Sequence, residues 1–510
     1  MPPMPRQNRP SPTAARWLYA ALALPLAACT MEPAYHRPDA PIPSAWPGGP
    51  AYAPASGSAA QAAPQATLGE VGWREFFVDP SMQELISRAL SGNRDLRIAA
   101  LAVDEARALY RVQRAAQFPE IDANAGLTSQ RVSPRLRAPG QGAQINSFTA
   151  GIGFTAYELD FFGRVRSLKH AALEQYMATE DARRSAQITL VAEVADAYLT
   201  LLADRELLAL SQDTLKSQQE AAEMVSRGQR AGALAKLDEH RAQTQLQTAQ
   251  VGVEQYTRQV AQDENALTLL LGGPLPDGLQ QLPALDSPDL LAQVPAGLPS
   301  SLLERRPDIR AAEHQLKAAN ANIGAARAAF FPSITLTGAL GVASTSLAGL
   351  FSGGLAWVFA PQLTLPIFNA GRNQANLDLA KVRKDINVAN YEKTIQTAFR
   401  EVADSMAATG TYDRQIQAQR TMIEEIRETE RLSRMRFRNG VDDYFSVFDA
   451  QRQLYSAQQQ LVAYRLARLD SEVSLYKALG GGWRDADGAA GTAGARPAAA
   501  AAAGAAPGTD

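Results

Sequence analysis

The chain says the same thing twice, and any fold it adopts must accommodate that. Asp95-Leu96-Arg97-Ile98-Ala99 returns as Asp308-Ile309-Arg310-Ala311-Ala312, and Arg114-Ala115-Ala116-Gln117-Phe118-Pro119 as Arg327-Ala328-Ala329-Phe330-Phe331-Pro332, both offset by 213. Gly163-Arg164 then matches Gly371-Arg372, Glu193-Val194-Ala195-Asp196 matches Glu401-Val402-Ala403-Asp404, and Leu271-Gly272-Gly273 matches Leu479-Gly480-Gly481, all offset by 208. The offset changes once, in a loop. Each half is therefore one structural unit: residues 80–273 form the first, 301–483 the second, and a proline-rich linker, 274–300, joins them.

Each unit opens with a helix. Ser81 to Gln117 contains good helix formers and no internal proline, and Phe118-Pro119 stops it. The period then changes from helical to two. Ile121, Ala123, Ala125 and Leu127 alternate with Asp122, Asn124, Gly126 and Thr128. A second strand carries Phe148, Ala150, Ile152, Phe154 and Ala156 on one face, with a long loop, Val132–Ser147, between the two. In the second unit Ile334, Leu336, Gly338 and Leu340 form one strand face, and Leu355, Trp357, Phe359, Leu363 and Leu365 another. These strands have the length of about 9–11 residues that a tilted membrane β-strand needs.

Gly163 and Gly371 allow a sharp turn from strand into helix, ahead of Arg164 and Arg372. From Arg164 a helical pattern runs to Arg227, roughly 95 Å at about 1.5 Å per residue. Such length predicts coiled-coil packing, and Ile188, Val191, Ala195, Tyr198 and Leu202 have heptad spacing. Turns at Gly228–Gly232 and Arg436–Gly440 send return helices back, with seams Leu246, Ala249, Val253, Tyr256 and Leu454, Ala457, Leu461, Tyr464.

The first 28 residues read as a signal peptide: Arg6, Arg9 and Arg16 precede an apolar stretch, Trp17–Leu26, then small residues. Leu26-Ala27-Ala28-Cys29 resembles a lipobox, in which cleavage leaves Cys29, the only cysteine, as a lipidated N-terminus. Multiple acyl chains give stable anchoring where one is marginal. Residues 29–79 read as a lipidated N-terminal tether, rich in Pro, Ala, Gly and Ser from Pro38 to about Thr67. The Ala/Gly/Pro tail, 484–510, is expected to be disordered.

A net charge of −2 offers no basic field for nucleic acid. Four scattered histidines and one cysteine form no metal-binding motif, and beyond the covalent lipid no cofactor is expected. No convergent acid, base or nucleophile set suggests an enzyme. Carboxylate pairs such as Asp442-Asp443 have the character of solvated turn residues. No apolar run of transmembrane-helix length follows residue 28.

Four membrane-type strands cannot close a barrel, since the smallest use about eight, and open sheet edges are not tolerated in lipid. Other copies of the chain must complete the sheet. Two copies give eight strands and three give twelve; long helices continuing the wall into the periplasm favour the wider assembly. A structural envelope protein with coiled-coil arms, such as a pump adaptor, is the competing reading, but it would lack the four amphipathic strands.

These residues resemble the outer-membrane efflux protein family, the TolC-like exit ducts, in the lipoprotein branch serving resistance-nodulation-division pumps. The resemblance rests on Cys29 with Pro33, Tyr35, Arg37 and Pro38; Gly72-Trp73 with Phe76-Phe77; Glu158-Leu159-Asp160-Phe161-Phe162-Gly163-Arg164; Arg306-Pro307-Asp308-Ile309; Asp449-Ala450-Gln451-Arg452; and Ala478 to Trp483. Tyr157 stands where the family often has Trp. The resemblance implies a mixed α/β membrane protein: a homotrimer with a twelve-stranded β-barrel and a periplasmic helical tunnel in the outer membrane. It implies a closed tip that opens on contact with a periplasmic adaptor and an inner-membrane transporter, to pass drugs or other small molecules. Ducts for metals or secreted proteins are alternatives within the same family. It also implies a periplasmic aperture near Asp442, Asp443, Phe445 and Asp449, with Ser446 where the family has a further aspartate. Threefold symmetry would make rings of Asp449 and Phe445; alternatively Asp449 bonds a neighbour such as Arg452 on the helix surface.

Overall fold

The computed structural model describes residues 30–43, 45–52, 72–137, 142–277, 282–292, 305–352 and 354–481. Cys29, the signal peptide and the 484–510 tail lie outside them. The helices are α1 (Trp73–Phe76), α2 (Pro80–Gly92), α3 (Arg94–Ala115), α4 (Arg164–Arg230), α5 (Lys236–Leu271), α6 (Pro307–Ala328), α7 (Arg372–Arg438) and α8 (Phe445–Ala478). The strands are β1 (Asp122–Arg131), β2 (Gln144–Leu159), β3 (Ser333–Ser344) and β4 (Leu355–Thr364). The chain divides into a sheet unit (residues 1–40, 101–181 and 310–393) and a helical unit (41–100, 182–309 and 394–510).

In the sheet unit the strands run antiparallel in the order β1-β2-β3-β4. Ala123, Ile152, Leu340 and Trp357 lie in one row of facing residues, and Asn124, Gly151, Gly341 and Ala356 in the next. Successive rows project to opposite faces, so one face is apolar and the other small and polar. β1 and β4 are exposed along their whole length, and among the described residues each has one strand neighbour. Two open edges on a sheet with an apolar outer face cannot sit in lipid alone.

One expected face is corrected. Phe154 pairs with Gly338 but Tyr157 with Leu336, so β2 carries an extra residue there. Ala156 has φ 53°, and its N–H donates to Thr337 Oγ1 at 3.2 Å. Tyr157 and Leu159, not Ala156, therefore continue the apolar row, because a bulge shifts the alternation by one. β2 also starts at Gln144, inside the expected loop.

The expected Ser81–Gln117 helix is two helices. Asn93, with extended backbone, separates α2 from α3. Its Oδ1 accepts from Leu96 N at 2.9 Å and its Nδ2 donates to the Leu270 carbonyl at 2.8 Å. Such side-chain bonds satisfy backbone groups that a helix end leaves open. In the second repeat Arg306 stands at the same place and Nη1 donates to the Ala478 carbonyl at 2.7 Å. Arg306 also pairs with Asp308 at 2.7 Å and Glu401 at 3.0 Å.

The stretch read as a tether is not uniformly loose. Tyr35 and Arg37 both donate to Glu313, and Glu32 meets His170 Nδ1 at 2.9 Å, fastening residues 30–37 to α4 and α6. Trp73, Phe76 and Phe77 are fully buried, and Phe76 stacks on Tyr476 at 4.1 Å. Tyr35, Arg37, Trp73, Phe76 and Phe77 are among the residues on which the family resemblance rests, and they flank the Pro/Ala/Gly/Ser-rich stretch.

The α4 seam is buried at Ile188, Val191, Ala195, Tyr198 and Leu202. The return seams are looser: Ala249 and Ala457 are buried, whereas Tyr256 and Tyr464 are half-buried. α4 holds an 18-residue window apolar enough for a membrane span, contrary to expectation, but 61% of that window is buried as helix core.

Candidate functional site

The two turns that end α4 and α7 have one backbone. Gly232 (φ 73°) donates to the Gln229 carbonyl and Ala233 to that of Gly228; Gly440 (φ 69°) donates to Phe437 and Val441 to Arg436. A residue in this left-handed conformation ends a helix by capturing its last carbonyls, and glycine does so without a Cβ penalty.

Side chains then differ. Arg436 grips Asp442 across the second turn through two bonds, Nε at 2.6 Å and Nη2 at 2.9 Å. That hydrogen-bonded guanidinium holds the Asp442 carboxyl below the usual carboxylate range. Immediately after it, Tyr444 is buried between Phe437 (4.7 Å) and Phe448 (4.3 Å), both edge-on. Edge-to-face pairing suits the aromatic quadrupole. Ala221, Ala222, Val225, Ala242 and Val447 complete this cluster, with Leu234 and Leu246 packed against it.

Behind the cluster the helices are joined by polar bonds. Gln218 donates to Gln451 at 3.2 Å, Gln451 to Glu430 at 3.3 Å, and Ser211 and Tyr455 share a hydroxyl contact of 2.8 Å. Glu430 also pairs with Arg434.

The expected aperture residues lie together on the first turns of α8 and the loop before it. Phe445 is exposed, with the Arg241 guanidinium 5.2 Å from its ring centroid. Asp443 is exposed and Ser446 half-buried. Asp449 accepts from Arg452 at 2.8 Å and Gln453 at 2.6 Å, the local pairing of the alternative reading, and its side chain stays 36% exposed. The Arg436–Asp442 grip and the burial of Tyr444 were not foreseen. An arginine in a last helical turn and an aspartate six residues on, bracketing a glycine, was the available signal.

The strand-to-helix turns belong to the sheet unit. Gly163 (φ 77°) and Gly371 (φ 84°) have the required left-handed backbone. At the first, Arg164 pairs with Glu158 at 2.5 Å, while Asp160 accepts from the Val165 and Arg166 backbone amides. At the second, Pro366 and Phe368 replace those acids, Arg372 is exposed, and Ile367 and Phe368 are almost wholly exposed. Among the described residues no group of three or more His, Cys, Asp or Glu is placed to hold a metal ion.

Comparison with known proteins finds a consistent likeness. The family profile described as Outer membrane efflux protein matches residues 85–273 and 298–481. The toluene efflux pump outer membrane protein TtgC of Pseudomonas putida is 51% identical over 472 residues, 92% of this chain and 96% of that protein. The antibiotic efflux pump outer membrane protein ArpC of Pseudomonas putida has the same identity and coverage. The crystal structure of the open state of the Neisseria gonorrhoeae MtrE outer membrane channel superposes with a TM-score of 0.77 at 38% identity, covering 89% of this chain and 99% of that one.

Proposed function

The chain belongs to the outer membrane efflux protein family, and from that premise we propose that three copies close one twelve-stranded barrel through which a tripartite pump discharges small organic molecules. As an outer-membrane efflux component it is a duct and not an enzyme. The observation that carries the trimeric reading is the sheet whose two edge strands have an unpaired side among the described residues, together with its apolar face. Closure removes every edge, which lipid requires.

The partners follow from the pump: a periplasmic adaptor and an inner-membrane transporter. The cargo is best matched by apolar solvents and antibiotics, since relatives at 51% identity are named for toluene and for antibiotic efflux. Cys29 carries the lipid that anchors the N-terminus beside the barrel. Labelled palmitate should enter the wild-type protein and not Cys29→Ser, whereas trimer and barrel should survive; label in the variant would refute the anchor.

The aperture is formed by the turns ending α4 and α7. In a trimer Asp449 makes a ring of three carboxylates and Phe445 an apolar ring one helical turn away. Carboxylates about 8 Å apart repel by only about 0.5 kcal/mol in water. Repulsion therefore does not set the gate; packing of the Tyr444 cluster and the Arg436–Asp442 grip close it, and the ring sets cation preference. Planar-bilayer recording tests this. Wild type should show small, cation-selective conductance, Asp449→Ala weaker selectivity, and Phe445→Ala higher conductance. Unchanged values in both variants would put the constriction elsewhere.

A further inference from the structure

We infer the register in which one copy joins the next: β4 of one copy runs antiparallel to β1 of its neighbour, with Leu363 opposite Ala125, Leu365 opposite Ala123 and Ile367 opposite Ile121. The inference rests on the shared-barrel reading above and deepens it. It comes from the repeat. Inside the chain, the second strand of one repeat (β2) pairs with the first strand of the other (β3). A closed ring of copies needs the same junction once more per copy, between β4 and the next β1.

Counterparts can be assigned from observed pairs. Asp122 of β1 corresponds to Thr335 of β3 at the 213 offset. Asp122 faces Gly153 and Thr335 faces Gln362, so Gly153 corresponds to Gln362 and, one residue on, Phe154 to Leu363. Beyond the bulge, Tyr157 corresponds to Leu365 and Leu159 to Ile367 at the 208 offset. The extra residue of β2, which β4 lacks, reconciles the two stretches.

Transferring the β2–β3 pairs now leaves no free choice. Phe154–Gly338 becomes Leu363–Ala125, Tyr157–Leu336 becomes Leu365–Ala123, and Leu159–Ile334 becomes Ile367–Ile121. Pairs on either side of the bulge arrive at one register independently. Side-chain chemistry agrees with it. Leu365, Leu363 and Pro361 meet Ala123, Ala125 and Leu127 on one face; Thr364, Gln362 and Ala360 meet Asn124, Gly126 and Thr128 on the other. A slip of one residue would set each apolar side chain on the polar face of its neighbour. Ile121 and Ile367, 69% and 92% exposed in the single chain, cover each other.

Disulfide trapping in the outer membrane tests the register and separates it from a slip of two, which would preserve the faces. Directly opposed Cβ atoms lie about 4.5–5.5 Å apart and diagonal ones about 7–8 Å, against the roughly 3.5–4.5 Å of a disulfide. Full-length protein carrying Thr364→Cys and Asn124→Cys should oxidise to a covalent trimer on a non-reducing gel. Each single variant, which controls for Cys29, should not, and Thr364→Cys with Gly126→Cys should cross-link at least tenfold more slowly. Faster cross-linking of the shifted pair, or of neither pair in a protein that still migrates as a trimer in detergent, overturns the register alone. A monomer in detergent overturns the register together with the shared barrel.

Discussion

At the turn ending α4, Gly228 leaves room for Leu234; at the turn ending α7, Arg436 and Asp442 occupy the same two places in the repeat. A side chain added at Gly228 would meet Leu234 Cδ1 at 2.8 Å, so the first turn closes by apolar contact. The second closes by a two-bond ion pair. The backbones agree, glycine for glycine, down to the same pair of carbonyl captures. Duplication therefore kept the turn and varied what holds it shut. The difference is chemical in kind: an apolar contact has no titratable group, whereas an ionic grip is screened by salt and can be released by a competing charge. The same divergence recurs at the strand-to-helix turns, where Glu158 and Asp160 give way to Pro366 and Phe368.

If the second turn is the releasable one, reversing its charge should have the largest effect. Arg436→Asp is expected to raise single-channel conductance several-fold in planar bilayers, and adding Asp442→Arg to it should restore the closed state. Leu234→Ala, at the first turn, should lower thermal stability with less change in conductance. Equal conductance increases from both turns would erase the distinction.

A smaller effect should come from acid. Arg436 depresses the Asp442 pKa, so the grip is complete above the ordinary carboxylate range, about 3.9, and is lost as pH falls through the lowered value. Conductance should therefore step up only below about pH 4, and that step should vanish in Asp442→Asn. A step of the same size in the variant would assign the acid response to other carboxylates.

Much of this is legible in the sequence. Alternation at Ile121–Thr128 and in the Leu355–Leu365 stretch marked β1 and β4, and the glycines at 163, 232, 371 and 440 marked the turns. Even the break at Asn93 was written in the chain, in the other repeat: Arg306-Pro307 stands at its counterpart, and proline at a helix start is informative where Asn93-Arg94 is not.

Strand period, turn glycine and repeat are local or self-comparing signals, so sequence alone determined the strands, the turns and the need for further copies to complete the sheet. The bulge at Ala156, the grip of Arg436 on Asp442, the burial of Tyr444 and the fastening of residues 30–37 by Glu313 and His170 were decided by tertiary structure. Each depends on which side chains face one another after the chain has folded, and neither spacing nor composition carries that information. A bulge changes the facing row without changing the period on either side. An ion pair or a buried tyrosine is chosen by the space its neighbours leave.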